Sequence, residues 1–462
     1  MAMKPLTLET IARVTGGAYV GADILKNTAI TGVVHDNRKV KEGNLFICIK
    51  GARADGHSFS GSAFDAGAAG CLAERPLPDA RGPYILVEST LEGVKALGEY
   101  YRSLFDIPII GVTGSVGKTT AKEMTASVLA QKYNVLKTPE NLNNELGVPL
   151  TLLSLQAEHE AAVIEMGISD FGEMRRLAKM VRPDICLMTA IGHCHLDTLG
   201  DLDGVLKAKS EVFEFMKPEG LAVVNGDDPL LFALEPGVKK RTYGTGSHNH
   251  VRAENIKASG PRGVTCDIVF NDPAGQSSRV GVLIPAFGSH MVLGALPAAL
   301  IGREMGLTDD EIRLGLLNYT TVGSRSCLFD TGYITIIDDC YNANPNSMSA
   351  AISSLCSLEG RKVAILGDML ELGRDTDDLH RQIGVFAANS GVDCLICCGA
   401  RAEFIFKGLI STGKSIEAYH FPLKDALFSK LPSLIKQGDN VLVKASHGMH
   451  FEEITAELKK LR

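Results

Sequence analysis

The densest chemistry in the chain lies in Ile109–Thr120, read I-I-G-V-T-G-S-V-G-K-T-T. A short apolar strand, Ile107 to Val112 with Pro108 inside it, runs into a glycine-rich bend, and Lys118, Thr119 and Thr120 open a helix. Gly114 and Gly117, on either side of Ser115 and Val116, carry no Cβ, so the backbone can turn tightly and aim its N–H groups at an anion. The helix start adds unpaired donors and the positive end of its dipole, and Lys118 adds a point charge suited to β- and γ-phosphates. The Thr119 hydroxyl would face Mg2+. A strict phosphate loop has Gly five positions before Gly117; this chain has Val112 there, between Gly111 and Gly114. An ordinary glycine-rich turn is the alternative, but G-K-T-T directly after a strand favours a nucleoside-triphosphate cradle.

Other strand ends carry polar groups that could join such a cradle. Glu165 closes the apolar run A-A-V-I-E, and in open α/β sheets ligands gather at the carboxyl ends of strands. A carboxylate there suits Mg2+, directly or through water; the alternative is a helix-capping or salt-bridged surface glutamate. In I-G-H-C-H-L-D-T-L-G, residues 191–200, His193 and His195 read as metal ligands, phosphate contacts or ordinary surface residues. Lys207 and Lys209 are expected to begin a helix, K-A-K-S-E-V-F-E-F, with solvated charges. The run I-D-D-C-Y-N-A-N-P-N-S-M, residues 337–348, ends another strand. Its short polar side chains could hold ribose hydroxyls or phosphates, or simply shape a turn. Arg325, in V-G-S-R-S near a domain joint, could bring a cation to a transferring γ-phosphate from a second domain.

These groups need a scaffold, and 462 residues are too many for one hydrophobic core. Leu8, Ile11 and Ala12 share a helical face, Asn44 to Lys50 reads as a strand, and a helix is expected from Glu88 to Phe105. Strands then alternate with helices: Ala162 to Glu165, Ile185 to Thr189 and Ala222 to Asn225. That rhythm argues a mostly parallel sheet covered on both faces. The stretch Val251 to Ile284 is rich in β-branched and turn residues and reads as an antiparallel edge; a helix interrupted at Pro297 follows, from Met291 to Met305. The βα rhythm restarts with Ile334 to Asp338, Lys362 to Leu366, Cys394 to Cys398 and Asn440 to Lys444. The fold class is therefore α/β with three domains: a small α/β N-terminal domain over 1–85, a central P-loop parallel-sheet domain over 86–322, and a C-terminal Rossmann-like domain over 323–462.

Composition narrows the partners. A net charge of −7 without a dense Lys/Arg block disfavours nucleic acid, so an anionic substrate must be met by local donors. Met1 to Gly17 lacks a signal peptide's apolar core, and no run of about 18 apolar residues suggests a membrane span. The 11 scattered cysteines fit a reducing cytosol, so a cytoplasmic protein is expected. Cys394, Cys397 and Cys398 read as a buried strand, since no second Cys/His pair completes a metal site.

Four segments together resemble the Mur ligases, the ATP-dependent amide-forming enzymes of peptidoglycan precursor synthesis. They are T-G-S-V-G-K-T-T at 113–120, N-L-N-N-E-L-G-V-P at 141–149, D-C-Y-N-A-N-P at 339–345 and G-D-M-L-E-L-G at 367–373. The likeness covers nearly the whole chain, and the last two segments point to the branch that adds D-alanyl-D-alanine. The resemblance implies a monomer that takes ATP, Mg2+, UDP-MurNAc-tripeptide and D-alanyl-D-alanine, with a UDP-binding first domain, an ATP-binding second and a ligase third. It implies that Gly114, Ser115, Gly117, Lys118, Thr119, Thr120, Asn143 and Asn144 hold the nucleotide. Glu165 and His195 match the family's metal-binding residues, and Lys209 matches the lysine that members carbamylate, which gives a carboxylate-like group able to support a second Mg2+. Arg325, Asp339, Tyr341 and Asn344 would close on ATP from the C-terminal side, with Lys118, His195, Lys209 and Arg325 carrying the chemistry. V-H-D-N-R and D-G-H-S-F resemble the UDP region, which makes Asp36, Arg38 and His57 substrate contacts.

The chain also departs from the family pattern. His290, Met291 and Gly294 stand where H-N-x-x-N is frequent near the adenine, and His290 remains the expected nucleotide contact. Ala190 replaces an expected Asn, and His447 and His450 replace an Arg and a basic residue. The rival readings are a sibling or folylpolyglutamate-synthase-type ligase, and a nucleotide-binding protein that has lost catalysis. D-C-Y-N-A-N-P weighs against the first.

Overall fold

Apolar runs too long and continuous for a half-exposed sheet become strands buried on both faces. The computed structural model describes residues 3–51, 54–78, 80–271 and 277–462. Among these, the central sheet has nine strands. From one edge they run Val135–Lys137, Ala161–Glu165, Ile109–Thr113, Ile185–Met188, Leu221–Asn225, Lys239–Gly244 and Val251–Ala258, all parallel. Val264–Asn271 and Ser277–Ile284 then add the expected antiparallel edge. The chain leaves Ile109–Thr113 toward one edge and returns past it to Ile185–Met188. That reversal opens a crevice at the carboxyl ends of the two strands, where the phosphate loop sits.

The phosphate-loop helix, Lys118–Leu129, packs against Val292–Glu304, and the contact is close because the second helix offers glycines. A Cβ on Gly302 would fall 2.8 Å from Val128 Cγ1, and one on Gly294 would fall 3.0 Å from Met124 Sδ. The expected break at Pro297 does not occur: Val292–Glu304 is one helix with Pro297 inside it. Proline there removes the donor to the carbonyl of Leu293, which stands in the helix's first turn.

The first domain carries a five-stranded sheet, ordered Ala18–Val20, Tyr84–Leu86, Gly70–Ala73, Asn44–Ile47, Gly32–Val34. Its core is continuous with one face of the central sheet. Thr90–Ser103, capped by the Ser89 hydroxyl, links the two through buried Val94, Leu97 and Tyr101, and the Tyr101 hydroxyl donates to Leu155 O at 2.9 Å. The last domain has its own six-stranded sheet, ordered Cys327–Asp330, Thr335–Asp338, Asn440–Lys444, Lys362–Gly367, Cys394–Cys398, Glu417–Phe421. Two further clusters of apolar side chains cover its faces, one of them taking in Phe287 of the middle domain. No helix among the described residues is long and apolar enough to cross a membrane.

One local expectation needs correction. Lys207 and Lys209 do not begin a helix; they end one, Leu202–Ser210, whose start is capped by the Asp201 carboxylate accepting from Gly204 N–H at 2.8 Å. Lys207 is exposed, but Lys209 is only 1% exposed and is not a solvated charge.

Candidate active site

Between the carboxyl edges of the central and C-terminal sheets lies a cleft of about 630 Å3. The phosphate loop forms its floor. Gly114 (φ 137°) and Gly117 (φ 83°) take backbone conformations that L side chains rarely adopt, and Ser115 N–H donates to Ala190 O at 2.8 Å. Lys118 Nζ folds back onto the Gly114 carbonyl at 2.7 Å, leaving it poised over the loop's own anion cradle. A Cβ on Gly114 would fall 2.1 Å from Thr189 Oγ1 and 3.0 Å from the Ala190 nitrogen. Gly114→Ala is therefore expected to weaken ADP binding about 10- to 100-fold, matching the roughly 1–3 kcal/mol of strain at such positions. Calorimetric titration of ADP checks this. Gly117→Ala, with open space around its Cβ, meets only the backbone term and should lose less.

Glu165 ends its strand beside the loop and is 1% exposed. Its Oε1 accepts from Thr119 Oγ1 at 3.1 Å and from Asn143 Nδ2 at 2.8 Å. Its Oε2 has no hydrogen-bond partner among the described residues, although fully buried Lys122 holds its Nζ 3.7 Å away. A buried carboxylate oxygen left open beside a threonine hydroxyl and a phosphate cradle suits a hard divalent cation. No three His, Cys, Asp or Glu side chains converge among the described residues, so phosphate oxygens and water must complete such a site.

His195 lines the same cleft from the loop after Ile185–Met188. Burial lowers its pKa, helped by the charges of Lys209 and Lys118 and opposed by Glu371, which favours a neutral ring able to act as a ligand. Lys209 is fully buried and does not line the cleft. Burial first, and then the charge of Lys118, lower its pKa to about 8.

The opposite wall comes from the last domain. Arg325, Asp339, Tyr341 and Asn344 all line the cleft, as do Asn143, Asn144 and Thr120. The Arg325 guanidinium stacks 3.7 Å from the centre of the Tyr341 ring. Asp339 Oδ1 accepts from Ser326 N–H at 2.9 Å, which fixes the segment carrying Arg325. Asn344 caps helix Pro345–Cys356 and so presents the helix start to the cleft. His290 also lines it; burial lowers its pKa, and Nδ1 lies 3.1 Å from Ser354 Oγ of the last domain.

Lys444 is a cleft residue that sequence reasoning missed. It is 2% exposed, and its Nζ donates to Asp339 Oδ2 at 2.6 Å and to the Asn342 carbonyl at 2.9 Å. Its position at the end of the strand Asn440–Lys444 was the available signal.

The first-domain candidates stand apart from this cleft. Arg38 clasps Asp36 with two hydrogen bonds of 2.9 and 2.8 Å and holds its carboxyl down to about 2. His57, expected as a substrate contact, has both ring nitrogens engaged within the protein. It is buried, with Nδ1 bonded to Asp55 Oδ1 at 2.6 Å and Nε2 accepting from Glu74 N–H at 2.9 Å. One nitrogen holds its own loop, and the other ties that loop to the end of the strand Gly70–Ala73.

A phosphate loop with an open buried carboxylate, faced by arginine and aspartate from a second α/β domain, defines an ATP-using enzyme whose site is shared between lobes. Three stretches match family profiles described as "Mur ligase family, catalytic domain" (29–99), "Mur ligase middle domain" (112–302) and "Mur ligase, glutamate ligase domain" (325–447). The chain is 36% identical to the Bacillus subtilis UDP-N-acetylmuramoyl-tripeptide--D-alanyl-D-alanine ligase, over 98% of each. It superposes on MurF from Acinetobacter baumannii with a TM-score of 0.89 at 31% identity, covering 100% of both chains. A Thermotoga maritima MurF ligase solved with ADP gives 0.80 at 28% identity, over 93% of this chain and 97% of that one. The chain belongs to the Mur ligase family.

Proposed function

We propose that this chain is the ATP-dependent ligase that joins D-alanyl-D-alanine to UDP-MurNAc-tripeptide in peptidoglycan precursor synthesis. One observation carries the reading: the phosphate loop and the Arg325–Asp339–Tyr341 wall share a single cleft, in a chain similar along nearly its whole length to a ligase of that name. A carboxylate and an amine do not condense usefully in water. The tripeptide's terminal carboxylate therefore attacks the γ-phosphorus of ATP, ADP leaves, and an acyl phosphate results. The dipeptide amine then attacks the acyl carbon, an amide forms, and inorganic phosphate leaves.

Lys118 and the loop N–H groups hold the β- and γ-phosphates, and Arg325 meets the transferring phosphoryl group from the other lobe. Gly114, Ser115, Gly117, Thr120, Asn143, Asn144, His290, Asp339, Tyr341 and Asn344 complete the nucleotide site. Thr119, Glu165 and His195 would hold Mg2+, which supplies charge neutralisation on the phosphates. Seating of the last domain excludes water from the acyl phosphate. Asp36 and Arg38 contact the UDP end of the substrate, with His57 bracing the adjoining loop.

Lys209 is the carbamylation site. Addition of CO2 to its neutral amine forms an N–C bond, releases one proton and leaves a carboxylate-like group. Burial and the lowered pKa support this. The reaction takes place in the cytoplasm on a monomer: all 11 cysteines are free, and one chain supplies both walls of the cleft.

Phosphate release measured with each substrate omitted in turn tests the reading. Turnover should require ATP, UDP-MurNAc-tripeptide and D-alanyl-D-alanine together. Equal ATP hydrolysis without the dipeptide, or none in the full mixture, would overturn it.

A further inference from the structure

Two residues with left-handed backbones, from different domains, meet beside the cleft. His195 (φ 53°) belongs to the loop after Ile185–Met188, and Glu371 (φ 62°) to the loop after Lys362–Gly367. His195 Nδ1 lies 2.6 Å from Glu371 Oε2, and the next backbone N–H, of Leu196, donates to the Glu371 carbonyl at 3.0 Å. Gly373 (φ 62°) brings the same turn against Leu196, where a Cβ would sit 3.4 Å from its backbone. The middle and last domains have separate sheets, and the apolar clusters include neither His195 nor Glu371.

A carboxylate only accepts hydrogen bonds. The His195 proton must therefore sit on Nδ1, which leaves a lone pair on Nε2. His195 lines the cleft, whereas Glu371 is absent from its lining and 59% exposed. A glutamate so exposed adds little to folding stability, yet it holds the ring in one tautomer and one orientation.

We propose that Glu371 is a positioning residue: it aims His195 Nε2 at the divalent cation of the cleft, and does so only when the last domain is seated on the middle one. The inference rests on His195 being a metal contact. Cation binding and domain seating are then coupled, and each strengthens the other.

The test uses the full chain with bicarbonate, UDP-MurNAc-tripeptide, a non-hydrolysable ATP analogue and Mn2+ in place of Mg2+. Electron spin-echo spectra report a coordinated histidine nitrogen, and Mn2+ titration gives the affinity. Wild type should show the nitrogen coupling and His195→Ala should lack it. Glu371→Ala should lose the coupling and bind Mn2+ about 10- to 100-fold more weakly at an unchanged melting temperature. Glu371→Gln, whose amide oxygen can still accept from Nδ1–H, should retain it. Wild-type coupling and affinity in Glu371→Ala would overturn the proposal. Identical spectra from wild type and His195→Ala would instead remove the metal role of His195 on which it rests.

Discussion

Lys118→Ala is expected to abolish dipeptide-dependent ADP release while leaving the fold intact. The ammonium is the loop's one side-chain point charge, and the charge it faces in the transition state is spread over a phosphoryl group in transit. Removing a comparable preorganised donor or cation elsewhere costs about 10^2- to 10^5-fold in rate. The loss should lie near the upper end, because the chain's net charge of −7 offers no compensating field. Stability should change little, since the one bond lost, from Nζ to the Gly114 carbonyl, is only partly buried and water can replace it. A second effect accompanies the first. Lys118 is one of the charges that depress the pKa of Lys209, so its removal also lowers the neutral fraction of that amine. Coupled-enzyme assay of ADP, with a melting curve on the same sample, checks both points. Wild-type turnover in a folded Lys118→Ala protein is incompatible with phosphate binding at this loop.

How much of this was legible in the sequence depended on how local each signal was. The phosphate loop is contiguous, and its glycines and lysine announce themselves within a few residues. Glu165 was legible from its place at the end of an apolar run, and Arg325 from its place at a domain joint. Lys444 and Glu371 were not, because their meaning comes from sheet order. Asn440–Lys444 inserts between Thr335–Asp338 and Lys362–Gly367, which brings Lys444 beside Asp339 across a sequence separation of 105. Glu371 meets His195 only once two domains are placed. The error at Lys207 was avoidable: Asp201 followed by Gly204 carried a readable N-cap, and the apolar positions Val205 and Ala208 already marked the buried face. His57 shows the opposite limit. A motif identifies the loop, but only coordinates reveal that its ring is spent on Asp55 and Glu74.

Lys209→Ala is expected to be nearly inactive and to regain turnover when formate, acetate or propionate is supplied. The argument begins with burial. An ordinary lysine is neutral in roughly one molecule in 3,000 at pH 7, whereas a group with its pKa at about 8 is neutral in roughly one in ten. Only the neutral amine can attack CO2, so the fold raises the reactive fraction by about two to three orders of magnitude. The sign of the pH dependence follows. As pH falls below about 8, Lys209 protonates and the proposed carbamate would be lost, so wild-type activity at limiting bicarbonate should fall with acidity and recover when bicarbonate is raised. In the alanine variant that bicarbonate dependence should vanish, and the rescuing acid should act in its ionised form, occupying the space left by the side chain. Carbon NMR of protein equilibrated with labelled bicarbonate should show a carbamate resonance in wild type and none in Lys209→Ala. A variant that turns over at the wild-type rate, in a protein without that resonance, would reduce Lys209 to a buried structural lysine.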